Sequence, residues 1–302
     1  MTTGKILFAM LLWAACFPLL TVGITYAPHL AFAALRASLA GLALVGLAVV
    51  LRRPYPRGLK TWVTLAFIGF GATSLGYLGM FHAAEYVSPG IATVIANSQP
   101  LLAAGLAGVV LGERLTVRGK IGLFLGFCGI LVIAAPGLFD QRGENYLLGI
   151  GYIVLAALGI TVSNVMLKKI AGSVDPLMTI GWQLLIGSVP LAIASGLVEN
   201  PASIQWSVAF FAILIALSLF GSALVYVIWL SVLSEVALSK ANAFSFLVPV
   251  FGLTIGALLY DEALGPSTIA GIVLAVVGVG LVTRNGIAAA EGLTKARVAK
   301  LP

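Results

Sequence analysis

Two stretches decide the fold: SPGIATVIANSQPLLAAGLAGVVLGERLTVRGKIGLFLGFCGILVI (88–133) and SKANAFSFLVPVFGLTIGALLYDEALGPSTIAGIVLAVVGVGLV (239–282). At an offset of 149 residues they match without a gap. Ala92 falls on Ala241, Pro100 on Pro249, Glu113 on Glu262, Leu115 on Leu264, Gly122 on Gly271, Leu125 on Leu274 and Gly129 on Gly278. Upstream, Tyr77 falls on Tyr226 and Thr73 on Ser222. Glycine coincidence alone is weak, but the ungapped run of Pro, Glu, Leu, Gly and Gly at one spacing marks an internal repeat.

Both stretches are apolar, and so is the whole chain. Of 302 residues, 17 are Lys or Arg and 10 are Asp or Glu, or 9% charged, while 61% are hydrophobic. Soluble domains carry about 25% charged residues, and a mean hydropathy of +1.12 leaves too little polar surface for one. A soluble enzyme, a nucleic-acid binder and a disordered chain are excluded. Cys16 and Cys128 lie in apolar runs without Cys-x-x-Cys spacing, so neither a disulfide framework nor a zinc site is indicated.

A bilayer-spanning helix needs about 20 apolar residues. Ten such runs are predicted, at 5–27, 29–51, 61–84, 89–111, 117–136, 147–168, 176–197, 206–233, 238–260 and 266–283. The first, preceded by Lys5, is too long for a signal-peptide core and reads as a transmembrane helix. The loops between runs are short. The repeat divides the chain into a first five-helix unit at 1–136, a loop at 137–145, a second unit at 146–285 and a tail at 286–302.

The cations set the orientation. Fifteen fall on one side: Lys5, Arg52, Arg53, Arg57, Lys60, Arg114, Arg118, Lys120, Lys168, Lys169, Lys240, Arg284, Lys295, Arg297 and Lys300. The opposite loops hold only Arg142, and Arg36 lies inside span 2. The positive-inside rule then places both termini in the cytoplasm, so the basic balance is a topology signal. Five spans per half is an odd number, hence the halves lie inverted. Arg114, Arg118 and Lys120 follow Glu113, whereas Ala263, Ser267 and Ile269 stand at the equivalent places after Glu262. Inverted halves can rock about a midplane site, which is a transporter signature.

The two quoted stretches resemble the EamA repeat of the drug/metabolite transporter superfamily; LLWAACFP (11–18) and AALRA (33–37) resemble that family's first and second helices. The resemblance spans nearly the whole chain and is greatest to YddG-type bacterial amino acid exporters. It implies an all-α polytopic membrane protein of ten helices, with a central substrate cavity lined by spans 1, 3, 4, 6, 8 and 9.

Pro100 and Pro249 lie near the centres of spans 4 and 9, where each removes an amide and frees a carbonyl, of Ala96 and of Ser245. Such prolines are common kinks in membrane helices; recurrence at equivalent midpoints favours a hinge role and a cavity-facing break. Around them stand Asn97 with Thr93, Ser98 and Gln99, and Asn242 with Ser245, flanked by Phe244 and Phe246. Neutral polar groups in membranes commonly only bridge helices. Tyr77 with Thr73 and Phe81, and Tyr226 with Ser222 and Trp229, share helical faces well inside their spans. A buried tyrosine hydroxyl needs a partner, in the core or on a ligand. Trp13 with Phe17 on span 1, and Asn164 with Ser163 on span 6, complete the candidate substrate site.

An aromatic, neutral-polar lining suits a zwitterion with an apolar or aromatic side chain, whose ammonium an aromatic face can hold. A nucleotide-sugar, sugar-phosphate or other metabolite carrier of the same superfamily is the alternative, and phosphate would call for deep cations. Arg36 is expected to snorkel or to bond neighbouring carbonyls. Glu85, Glu113, Glu235 and Glu262 all fall at span ends, so facilitated rather than tightly proton-coupled export is expected. His29 and His82 are the only histidines, and H-E-x-x-H and G-x-S-x-G are absent, which argues against an intramembrane enzyme. No metal or cofactor is expected, and the partners are a small molecule and the bilayer of a bacterial plasma membrane. The glycines at 122, 126 and 129 and at 271, 278 and 280 are expected to pack spans 5 and 10 closely, with a dimer contact as the alternative. The sequence implies no particular oligomeric state.

Overall fold

A computed structural model describes residues 2–83, 86, 89–135, 146–259 and 265–284, without the side chains of residues 80–83, 89–91, 94 and 259. The expected loop at 137–145, Glu262, the Phe81 side chain and the tail at 286–302 lie outside the described residues.

The expected runs are helical. Span 1 is α1 (Thr2–Gly23) and span 2 is α2 (His29–Val50). Span 3 joins α3 (Leu59–Ile68), a π-helical stretch (Gly69–Leu75) and α4 (Gly76–Ala83). Span 4 is divided into α5 (Pro89–Ala96) and α6 (Gln99–Leu111). Spans 5, 6 and 7 are α7 (Val117–Ala134), α8 (Tyr146–Ile170) and α9 (Pro176–Val198). Span 8 joins α10 (Val208–Ser218), a second π-helical stretch (Leu219–Leu224) and α11 (Val225–Glu235). Span 9 joins α12 (Leu238–Ala243), a 3-10 turn (Phe244–Phe246) and α13 (Leu247–Leu259); span 10 is α14 (Pro266–Thr283). Among the described residues nine helices are long and apolar enough to cross a membrane, and the divided span 4 supplies the tenth pass.

Local chemistry sets several starts. Asp175 accepts hydrogen bonds from the Leu177 and Met178 amides at 3.0 and 3.2 Å, with Pro176 in the first helical position. Thr116 and Ser207 cap α7 and α10 in the same way, from Gly119 and Phe210.

The halves interlock as an inverted pair. A methyl carbon added at Gly122 of α7 would lie 2.6 Å from the Gly278 carbonyl of α14, and one at Gly129 would lie 2.6 Å from the Gly271 carbonyl. The register runs oppositely along the two helices, so they cross antiparallel with backbones in contact, as small residues permit. The glycines thus serve the interior of the chain. The exception is Gly280, where an added Cβ meets nothing within 4 Å. α2 and α9 pair likewise, Gly41 against Gly181.

Contacts between loops define two ends of the bundle. At the basic end, Lys5 meets Glu235, Arg53 lies 3.8 Å from Asp175, and Glu113 bonds Leu238 and Ser239. At the other, the Glu199 carboxylate accepts the Leu30 and Ala31 amides at 2.8 and 2.9 Å, and the Gln205 amide donates to Tyr26.

Spans 3 and 8 are not uniform α-helices, and one expectation, that for the prolines, needs correction. Their π-helical stretches occur where span 3 squeezes past span 6 at Gly71 and Gly159, and where Gly221 of span 8 faces Cys16 and Arg36. The prolines do not free carbonyls within continuous helices either. Each helix breaks before its proline, at Asn97–Ser98 and at Phe244–Phe246, and the proline sits in the first turn of the following helix, where a missing amide costs nothing.

Candidate functional site

A cavity of about 670 Å³ lies between spans 1, 4, 5, 6 and 9. Its lining from span 1 is Ala14 to Val22, the half of α1 away from the basic end. Span 4 contributes Thr93, Ala96 and Asn97, and span 9 contributes Val248, Pro249 and Gly252. The two helix breaks therefore border the cavity, and the cavity occupies the half of the bundle remote from the basic end. Among the described residues its polar side chains are Thr21, Thr93 and Asn97, and none that lines it is charged.

Between cavity and basic end lies a layer of hydrogen-bonded and aromatic side chains. Trp229 donates its indole N–H to Asn164 Oδ1 at 3.0 Å, and Asn164 Nδ2 donates to Asn242 Oδ1 at 3.5 Å. The same oxygen accepts from Gln99 Nε2 at 2.9 Å, while Asn242 Nδ2 donates to the Leu238 carbonyl at 3.0 Å. One chain of amides thus ties spans 8, 6, 9 and 4. The Trp13 ring stands edge-on to Tyr226 and Trp229, with centroids 6.0 and 5.4 Å away. Trp229 and Asn242 are almost fully buried.

Of the residues singled out in the sequence, Phe17, Thr93, Asn97 and Pro249 line the cavity. Trp13, Asn164, Tyr226, Trp229 and Asn242 form the floor beneath it. Phe246 is fully buried beneath Gly126 of α7, and the Ser245 hydroxyl donates back to the Asn242 carbonyl. Pro100 starts the lower half of span 4, behind Gln99. The Tyr77 hydroxyl lies 3.2 Å from Ser222 Oγ and hydrogen-bonds Tyr226 of the floor. Gln99, the third amide of the floor, stands out in the sequence only as a neighbour of Pro100.

Arg36 does not snorkel. It is 7% exposed and turns inward, where Nε donates to Ser222 Oγ and Nη2 to the Gly221 carbonyl, both at 2.9 Å. Its guanidinium lies 5.4 Å from the centre of the Tyr77 ring. The missing side chain at Gly221 makes the room, since an added Cβ there would lie 3.1 Å from Nη2. Carbonyl bonding, the other expectation for Arg36, is met.

Ten spans in two inverted halves around a cavity are the architecture of a secondary transporter. The chain belongs to the EamA-like transporter family, which matches residues 4–135 and 147–284. It is 32% identical over 277 residues to "Uncharacterized transporter YvbV" of Bacillus subtilis, covering 91% of this chain and 89% of that one. It is 29% identical over 283 residues to "Probable amino-acid metabolite efflux pump" of Escherichia coli, covering 90% and 91%. A solved crystal structure, 20% identical, shares the fold with a TM-score of 0.79 over 94% of this chain and 97% of the other. The family and the named relatives are transporters, not enzymes, in accord with the drug/metabolite transporter resemblance.

Proposed function

We propose that the chain exports amino acids, neutral and aromatic ones foremost, across a bacterial plasma membrane by alternating access, with both termini in the cytoplasm. The carrying observation is the cavity lining, which among the described residues is apolar with three neutral hydrogen-bonding side chains and no fixed charge. A zwitterion brings no net charge to such a wall, and its apolar side chain gains from leaving water. A phosphate would need cations on the wall, and Arg36 is turned to span 8 instead. The described acids Glu113, Asp175, Glu199 and Glu235 stand at helix ends, which supports transport without tight proton coupling. Pro100 and Pro249 act as hinges at the two breaks.

Counterflow into proteoliposomes with a panel of labelled amino acids, with and without a pH gradient, tests this. Saturable exchange of neutral and aromatic amino acids is expected, weakened by Asn97→Ala. Exchange of none would sink the substrate assignment, and flux strictly dependent on the gradient would sink the coupling. Unchanged kinetics in Asn97→Ala, Tyr226→Ala and Asn242→Ala would remove the site.

A further inference from the structure

The corner between spans 8 and 9 is gripped by two opposite charges. α11 ends at Glu235 and leaves carbonyls unpaired; Lys168 of α8 donates to those of Leu233 and Val236, the latter at 2.6 Å. α12 begins at Leu238 and leaves amides unpaired; the Glu113 carboxylate accepts those of Leu238 and Ser239 at 2.6 and 2.9 Å. The Ser239 hydroxyl adds a third bond to Glu113 at 2.6 Å. The sign of each side chain suits the helix end it meets. Glu113 is aimed by Gly112, whose φ of 69° closes α6 in the left-handed conformation that glycine adopts at low cost.

Glu113 belongs to the first repeat and the corner to the second, so this carboxylate joins the two halves. It is also coupled to the floor of the cavity. Leu238 gives its amide to Glu113 and its carbonyl to Asn242, the shared member of the amide chain. A displacement of α12 that frees Leu238 from Glu113 disturbs Asn242, and with it Gln99 and Asn164.

We infer that Glu113 is the gating residue of the basic end, and that Lys168 positions the corner to meet it. While the carboxylate holds the amides of α12, the cavity is confined to the half where it is found. Release of those amides opens the path through the amide floor. The inference rests on the alternating-access reading, but not on the identity of the cargo.

The test places one reporter cysteine at Gly252, on the cavity wall, where an added Cβ meets nothing within 4 Å. Cys16 and Cys128 are replaced by serine, and a membrane-impermeant maleimide is added from either side of oriented vesicles. The parent is expected to react from the side opposite the basic end. Glu113→Ala should move the ratio of the two labelling rates toward the basic end by about tenfold, the scale of losing one charge-assisted hydrogen bond. Lys168→Met should move it the same way by less. Should Glu113→Ala fail to fold, Glu113→Gln and Ser239→Ala each remove part of the grip and should give smaller shifts in that direction. An unchanged ratio in the folded variants overturns the inference. Labelling needs neither substrate nor gradient. A failure here therefore leaves the counterflow test standing, and a failure of amino acid counterflow leaves the labelling result standing.

Discussion

Arg36 and Gln183 hold equivalent places in the two inverted halves, and each meets the equivalent hydroxyl of the other pair of spans. Arg36 Nε donates to Ser222 at 2.9 Å, and Gln183 Oε1 accepts from Thr73 Oγ1 at 3.1 Å. Ser222 lies 149 residues after Thr73, and Gln183 lies 147 after Arg36. The symmetry of the backbone thus extends to buried hydrogen bonds, with a cation in one half where the other has an amide.

Arg36→Gln should therefore fold with a thermal midpoint within a few degrees of the parent in detergent, because the chain already uses glutamine at the equivalent point. Arg36→Ala takes the guanidinium donor from the Gly221 carbonyl and leaves Ser222 with Tyr77 alone, at about 1–3 kcal/mol for a buried group that loses its partner. Its midpoint should fall clearly below that of Arg36→Gln; equal midpoints would contradict this account.

Gly278→Ala and Gly280→Ala, two residues apart on α14, should differ sharply. The first drives a methyl into the α7 backbone; the second meets open space. Overpacking of this kind costs about 1–3 kcal/mol, so thermal unfolding should separate the pair, with Gly280→Ala close to the parent.

Trp229→Phe keeps the ring against Trp13 but removes the donor to Asn164. Combined with Asn164→Ala in a double-mutant cycle, it should show a coupling of about 0.5–1.5 kcal/mol in unfolding stability. Strict additivity would mean that the floor hydrogen bond contributes nothing.

Glu199→Ala removes the acceptor shared by the Leu30 and Ala31 amides and the Ser195 hydroxyl. A lost helix cap of this type costs about 0.5–2 kcal/mol. Hydrogen exchange should show the first turn of α2 opening more readily, with Glu199→Gln intermediate.

The bundle was legible because membrane helices announce themselves by composition, and because the offset of 149 residues ties Pro100 to Pro249 and Gly129 to Gly278. The candidate site was legible only as a list of types. Nothing local shows that Asn97 faces a cavity while Asn242 holds a floor, since both donate to the carbonyl four residues earlier. The π-helical stretches and the inward turn of Arg36 depend on the approach of other spans, at Gly71 and Gly221. Glu113 reads as a span-end acid, and its bond to Leu238 crosses 125 residues of chain.

The α7 and α14 crossing has a consequence of its own. Gly122 meets Gly278 and Gly129 meets Gly271, so each glycine faces the counterpart of the other. This is the geometry of an isologous contact between two copies of one subunit, here closed within a single polypeptide. The halves are free to diverge elsewhere, as Arg36 and Gln183 have done. Along this seam they still behave as twins, and a change in either glycine pair must be answered from the opposite half.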